Sequence, residues 1–286
     1  MSVVLALLAG AVIGVLLGAL GGGGSILTLP VLVYGLGQGT GAATTASLVI
    51  VGITSVVAAV GHHRGGRVRW APGLVFGLLG SVTALLGTLA ATHVAPAALL
   101  LGFAALMLLA AAGMVRRDRH TQARDNTPAR ANTPARDDAP TETGHHSADA
   151  GQVTQVPTRT RTTTGRRVLV VVSALGVGLL TGFFGVGGGF VIVPALVLAL
   201  QLPMPVAAAT SLVVIALNSG AGLLARWGHL DIPWHVVLPF TAAAVLTSLL
   251  GGQIAQHVPA RLLTRSFITL LVLVAAYVAA RAGASL

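Results

Sequence analysis

The chain has 286 residues, of which 55% are hydrophobic and only 8% charged, with a mean hydropathy of +0.88. A soluble domain carries about a quarter charged residues, so the composition excludes a water-covered globular surface and reads as an all-α polytopic membrane protein. Cysteine is absent and the formal net charge is +10, which excludes a disulfide framework and a thiolate metal centre. The basic residues cluster in one segment rather than along a groove, so membrane lipids are the expected partner and nucleic acid is not.

A hydrocarbon core of about 30 Å needs roughly 20 helical residues. In chain order, apolar stretches that meet or approach this length lie near 3–20, 41–61, 71–92, 96–115, 168–184, 206–225, 236–256 and 262–281. The N-terminus lacks a basic n-region and a cleavage site, so 3–20 is taken as the first span and not as a removable signal. Two shorter apolar pieces, 26–36 and 190–202, each follow a glycine cluster. Between the halves, 116–167 changes character. It opens on Arg116-Arg-Asp-Arg119, holds the near-repeat Asn126-Thr-Pro-Ala-Arg130 and Asn132-Thr-Pro-Ala-Arg136, and ends on Arg166-Arg167. This segment is expected to be a disordered linker, cytoplasmic by the positive-inside rule. The chain therefore divides into a first transmembrane repeat at 1–115, the linker at 116–167 and a second repeat at 168–286.

The repeats align without gaps at an offset of 164 residues, which carries Gly18 to Gly182 and Pro30 to Pro194. The same offset carries Ser47 to Ser211, Trp70 to Trp234, Gly87 to Gly251, His93 to His257 and Phe103 to Phe267. Pro30, Pro194, Trp70 and Trp234 are read as structural markers of the repeat. If each glycine-broken region crosses once, the halves hold four spans each and are parallel; if it crosses twice, they hold five and are inverted.

The clusters are Gly21-Gly-Gly-Gly-Ser25, running on to Pro30, and Gly185-Val-Gly-Gly-Gly189, running on to Pro194. Four consecutive glycines disfavour a continuous helix, at about 1 kcal/mol each against alanine. A helix restarting near Ser25 or Gly189 presents free N–H groups and the positive end of its dipole, which suits an anion. Ser25 is placed to cap such a helix or to contact a ligand. Interrupted helices in two repeated halves are the usual sequence pointer to a transport site. Apart from Arg265 and Arg281 at the two ends of 262–281, the spans contain no Asp, Glu, Lys or Arg, and outside the linker the only acidic residue is Asp231. Such a pathway tolerates an anion better than a cation. The candidate substrate contacts are Gly21, Gly22, Gly23, Gly24, Ser25, Thr45 and Ser47 in the first half. In the second they are Gly185, Gly187, Gly188, Gly189, Thr210, Ser211 and Asn218. For Gly14, Gly18, Gly178 and Gly182, spaced as small-xxx-small pairs, close helix packing is the favoured role.

Thr54 and Ser55 are expected to bond back to their own helix. His62-His63 and His145-His146 lack metal-site spacing and are read as interfacial or solvated. No catalytic constellation, metal site or cofactor motif is found, and an enzyme is not expected.

The stretch Phe183-Phe-Gly-Val-Gly-Gly-Gly-Phe-Val-Ile-Val-Pro194, with Ala209-Thr-Ser211 and Ala216-Leu-Asn-Ser219, resembles the second-half signature of the TauE/SafE family of membrane transporters. Gly21 to Pro30 is similar to its first-half counterpart, although Thr45-Ala-Ser47 stands where an Asn often follows the Thr. The resemblance implies a secondary transporter in the plasma membrane that moves a small anion, most plausibly sulfite, a sulfonate or a related sulfur-containing or organic anion, and does so as an exporter. A non-transporting membrane partner protein and a passive anion channel stay open at this stage, as does the oligomeric state.

Overall fold

The computed structural model describes residues 2–91, 96–125, 163–184, 189–228 and 232–284, and all regular structure among them is helical. The first half comprises α1 (Ser2–Leu20), α2 (Gly23–Pro30) extended by a wide π-turn (Val31–Gly35), α3 (Thr40–Arg64), α4 (Trp70–Ala91) and α5 (Pro96–Asp125). The second comprises α6 (Thr163–Phe184), α7 (Gly189–Leu198), α8 (Met204–Leu224), α9 (Trp234–His257) and α10 (Ala260–Ala284). The π-turn follows Pro30, whose missing N–H leaves the preceding turn one donor short.

Among the described residues, six helices are long and apolar enough to cross a membrane, with spans at Val3–Leu20, Gly41–Arg64, Trp70–Gly87, Met204–Leu224, Trp234–His257 and Ala260–Ala280. The other two expected spans, 96–115 and 168–184, fall within α5 and α6. In α6 the apolar part is only Val170–Phe183, because the helix opens on Thr-Thr-Gly-Arg-Arg. α5 carries Arg116, Arg117, Asp118 and Arg119 in its C-terminal part. Both helices run into the segment expected as linker, and 126–162 lies outside the described residues. Large apolar side chains such as Leu109, Val82, Leu246 and Val4 stand exposed on the outer helices, as a lipid-facing surface requires. The protein is a multi-pass membrane protein.

Glycine sets the tightest helix contacts. A methyl group added at Gly10 would strike the Phe240 carbonyl, at Gly14 the Ala244 carbonyl and Thr247 hydroxyl, and at Gly18 the Ser248 carbonyl. The α1 residue and its α9 neighbour advance together by four, so these helices run parallel at backbone contact. In α6, Gly178 faces Gly80 and Thr83 and Gly182 faces Ala84 of α4, again in parallel. α8 runs with α4, since Gly73 lies on Val213 and Gly77 on Leu217. The ends of α1, α3 and α9 converge at His62, beside Gly18 and Gly252. α3 and α8 run antiparallel, with Gly52 on Ser219 and Gly222 on Leu48. Two groups of three helices, α1–α3–α9 and α4–α6–α8, thus point in opposite directions. Since α1 and α3 point the same way, the chain must return between them through α2 and its π-turn. Thirteen residues give about 20 Å of helix, short of a full hydrocarbon core.

α2 and α7 occupy the interior. Every residue from Gly189 to Pro194 is buried, as are Gly23, Gly24, Ser25, Ile26 and Thr28. Phe190 packs edge-on to Phe103 of α5, with ring centroids 4.7 Å apart. Short helices at membrane depth survive only in such protein surroundings.

Candidate functional site

The first glycine cluster does three separate jobs. Gly21 takes φ +67°, the left-handed turn that ends α1, and its N–H bonds the Leu17 carbonyl at 2.9 Å. That conformation costs about 1–2 kcal/mol for a residue with a Cβ. Gly22 is the N-cap of α2, and no side chain caps this end. Gly23 and Gly24 are already helical, so α2 restarts inside the cluster and Ser25 sits in its first turn. A methyl at Gly24 would meet Leu17 Cβ and the Ile13 carbonyl, which is how α2 folds back closely on α1.

In the second half α6 ends at Phe184 and α7 starts at Gly189. Gly185, Gly187 and Gly188 lie outside the described residues. Gly189 itself touches the first cluster. A methyl there would meet the Ser25 hydroxyl, and the Gly22 carbonyl and Ile215 Cδ1 each at 3.1 Å; a methyl at Gly22 would strike the Gly189 carbonyl. The starts of the two short helices therefore abut. Ser25 and Gly189, 164 residues apart, touch each other, and Gly22 touches Gly189 beside them. The Ser25 hydroxyl donates to the Gly22 carbonyl at 2.7 Å. Ser211 is fully buried alongside, donating to the Ala208 carbonyl at 2.7 Å, and its Oγ faces Gly21.

The other described candidates are held by hydrogen bonds on α3 and α8. Thr210 is buried and accepts the Arg69 backbone N–H at 3.2 Å, which ties the start of α4 to α8. Asn218 Oδ1 accepts from the Ser81 hydroxyl at 2.9 Å, joining α8 to α4. Thr45 and Ser47 bond to carbonyls of their own helix, Gly41 and Thr44, at 3.2 and 2.8 Å. Pro194 is buried within α7 and Pro30 closes α2. Trp70 and Trp234 begin α4 and α9 and are exposed, as ring side chains at a membrane interface are. Trp70 Nε1–H donates to His63 Nδ1 at 3.0 Å.

Two expectations need correction. His62 is not solvated: it is 5% exposed, and its Nε2 lies 2.9 Å from the Gly18 carbonyl. Ending α1 at Leu20 leaves carbonyls of the last turn without an intrahelical donor, and the imidazole takes one of them. Gly252 leaves space for the ring, since a methyl there would sit 3.2 Å from Nε2. Ser55 is fully buried with no hydrogen-bond partner for its hydroxyl, whereas Thr54 bonds back to Ile50 at 2.7 Å as expected. The signal for His62 was a histidine in the last turn of a span that precedes a loop, combined with a helix break elsewhere that frees carbonyls. Ser81 was signalled only by its position on a helix rich in small residues.

Among the described residues no three His, Cys, Asp or Glu side chains converge on one point. The centre is formed by backbone groups and hydroxyls without a formal charge, closed by buried apolar side chains.

A model of the sulfite exporter TauE/SafE family matches residues 6–278. A probable membrane transporter protein of Xylella fastidiosa is 30% identical over 290 residues, covering 100% of this chain and 98% of the relative. One of Methanocaldococcus jannaschii is 23% identical over 270 residues, covering 89% and 86%. A third, from Bacillus subtilis, is 33% identical over 98 residues, 34% of each chain. No solved structure matches. With a family model spanning nearly the whole chain and a full-length relative at this identity, the chain belongs to the TauE/SafE family of membrane transporters.

Proposed function

We propose that this protein is a secondary exporter of a small anion, sulfite, a sulfonate or a related sulfur-containing or organic anion, across the cell membrane. The observation that carries the reading is the abutment of the two short-helix starts at Gly22, Ser25 and Gly189. Two helix N-termini at one place focus positive partial charge, and the first cluster's backbone is left bare of side chains. The Ser25 hydroxyl lies against Gly189 and the Ser211 hydroxyl against Gly21, and Gly185, Gly187 and Gly188 are proposed to complete the cradle. Thr45, Ser47, Thr210 and Asn218 are proposed to line the path on either side.

Two inverted repeats are the arrangement this reading needs, and the contact register supports them. Gly14 on Ala244 and Thr247 reappears 164 residues on as Gly178 on Gly80 and Thr83; Gly251 on Val15 reappears as Gly87 on Leu179. The counterparts α3 and α8 are antiparallel. Transport then follows from rocking one group of helices against the other around a fixed centre. Arg64, Arg67, Arg69 and Arg116 to Arg119 fall on the side where α3 and α5 end, which the positive-inside rule makes cytoplasmic. The segment 116–167 would join the repeats on that side.

The test is flux of labelled sulfite, methanesulfonate and taurine in proteoliposomes, with exchange against unlabelled anion inside. A carrier gives saturable flux accelerated by exchange, whereas a channel gives conductance without it. Absence of flux for every anion would remove the reading in favour of a non-transporting role.

A further inference from the structure

We propose that His62 is the proton-binding residue of this transporter, and that its protonation is linked to anion binding at the glycine break. The inference rests on the transport reading above and adds the coupled ion to it.

His62 holds the Gly18 carbonyl, one helical turn before the break, through Nε2 at 2.9 Å. The carbonyl can only accept, so in the neutral ring the proton is on Nε2 and Nδ1 is a bare acceptor. That Nδ1 is buried without a partner. A buried empty acceptor is a tolerable cost, but a buried unpaired cation is not. When a proton from water adds to Nδ1, the ring becomes an imidazolium that still donates to Gly18 and now carries a second donor in need of an acceptor. Among the described residues, the elements packed against α3 offer no counter-charge. α1, α2 and α8 contain no titratable side chain within their helices, the π-turn contributes Tyr34, and α9 contributes His235 and His257. The last turn of α3 and the loop after it add His63, Arg64, Arg67 and Arg69, and the Arg67 backbone N–H bonds the His62 carbonyl at 3.4 Å. None of these is a carboxylate. The missing negative charge is therefore supplied by the transported anion, so that proton and anion load together. The position 164 residues on is Arg226, exposed to solvent, so the repeat does not duplicate this histidine.

The experiment uses the full chain in lipid nanodiscs with isotope-labelled histidine, reading the protonation of His62 by nuclear magnetic resonance from about pH 5 to about pH 8. Its signals are identified by their loss in His62→Gln. Methanesulfonate is the probe because it stays ionised throughout, and its affinity is measured over the same pH range. The expected result is that saturating methanesulfonate raises the proton affinity of His62 about tenfold, and by reciprocity methanesulfonate binds about tenfold more tightly at the acid end. A glutamine amide can still donate to Gly18 but cannot take up a proton. H62Q should therefore keep the fold and bind methanesulfonate with little pH dependence. Wild-type pH dependence retained in H62Q would overturn the proposal and leave His62 a purely structural cap. So would a His62 titration that ignores methanesulfonate while the anion demonstrably binds. Failure of both methanesulfonate and sulfite to bind or move at any pH is a different outcome, which removes the anion site and the linkage with it.

Discussion

Replacing Gly22 by alanine places a methyl group against the Gly189 carbonyl, with Gly189 Cα 3.1 Å away. Both obstructing atoms are backbone, held in the buried first turns of α7, so neither can swing aside. Overpacking of this kind costs roughly 1–3 kcal/mol, and alanine is also a poorer N-cap than glycine. The comparison is Gly176→Ala in α6, where a methyl meets nothing within 4 Å and the helix gains up to about 1 kcal/mol. At about 2–4 °C per kcal/mol for proteins approaching this size, Gly22→Ala should unfold several degrees below the wild type and Gly176→Ala slightly above it. The assay is thermal unfolding of purified protein in one detergent, followed by tryptophan fluorescence, with anion flux measured on the same preparations. Gly22→Ala should lose most of its flux even below its unfolding temperature, because the two helix starts have been forced apart. Equal stability and flux in the two variants would refute the abutment of α2 on α7.

Gly21→Ala combines a left-handed backbone, at about 1–2 kcal/mol, with a clash against the Ala208 carbonyl; it should be less stable than Gly39→Ala, which meets nothing, in the same unfolding assay. Gly14→Leu and Gly178→Leu should impair membrane insertion and yield to a similar degree, since each separates one parallel pair, α1 from α9 or α6 from α4. A strong effect at one and none at the other would count against the repeat relation. Ser81→Ala and Asn218→Ala should show a coupling of about 0.6 kcal/mol in a double-mutant cycle, and additivity would mean that their hydrogen bond contributes nothing. Trp70→Phe removes the bond to His63 at an exposed position and should shift unfolding by no more than about 0.5 kcal/mol.

Composition and apolar length made the helices legible, because lipid leaves few alternatives to a 20-residue apolar run. The glycine clusters announced the breaks, since consecutive glycines followed by proline forfeit helix at a place where backbone needs it. Direction was not legible. Hydropathy is blind to which way a helix runs, and Arg226 set against Arg261 and Arg265 left the second half undecided; the order of contacts along α1–α9, α4–α6 and α3–α8 supplies it. Ser47 and Ser211 are equivalent by alignment and make the same bond to a carbonyl one turn back, as hydroxyls in apolar helices tend to, whereas Thr45, which bonds to Gly41, has Ala209 as its counterpart. His62 escaped notice because its partner is a carbonyl 44 residues away, and no side-chain pattern records a carbonyl set free by a broken helix.

The most direct measurement is an experimentally determined density map of the full chain in lipid with saturating sulfite. A bound oxyanion at the meeting of α2 and α7, within hydrogen-bond reach of the Ser25 hydroxyl and the start of α7, is the predicted result. Sulfite seated elsewhere, for instance on the arginines at the end of α5, with the helix junction closed by protein atoms alone, would contradict the account.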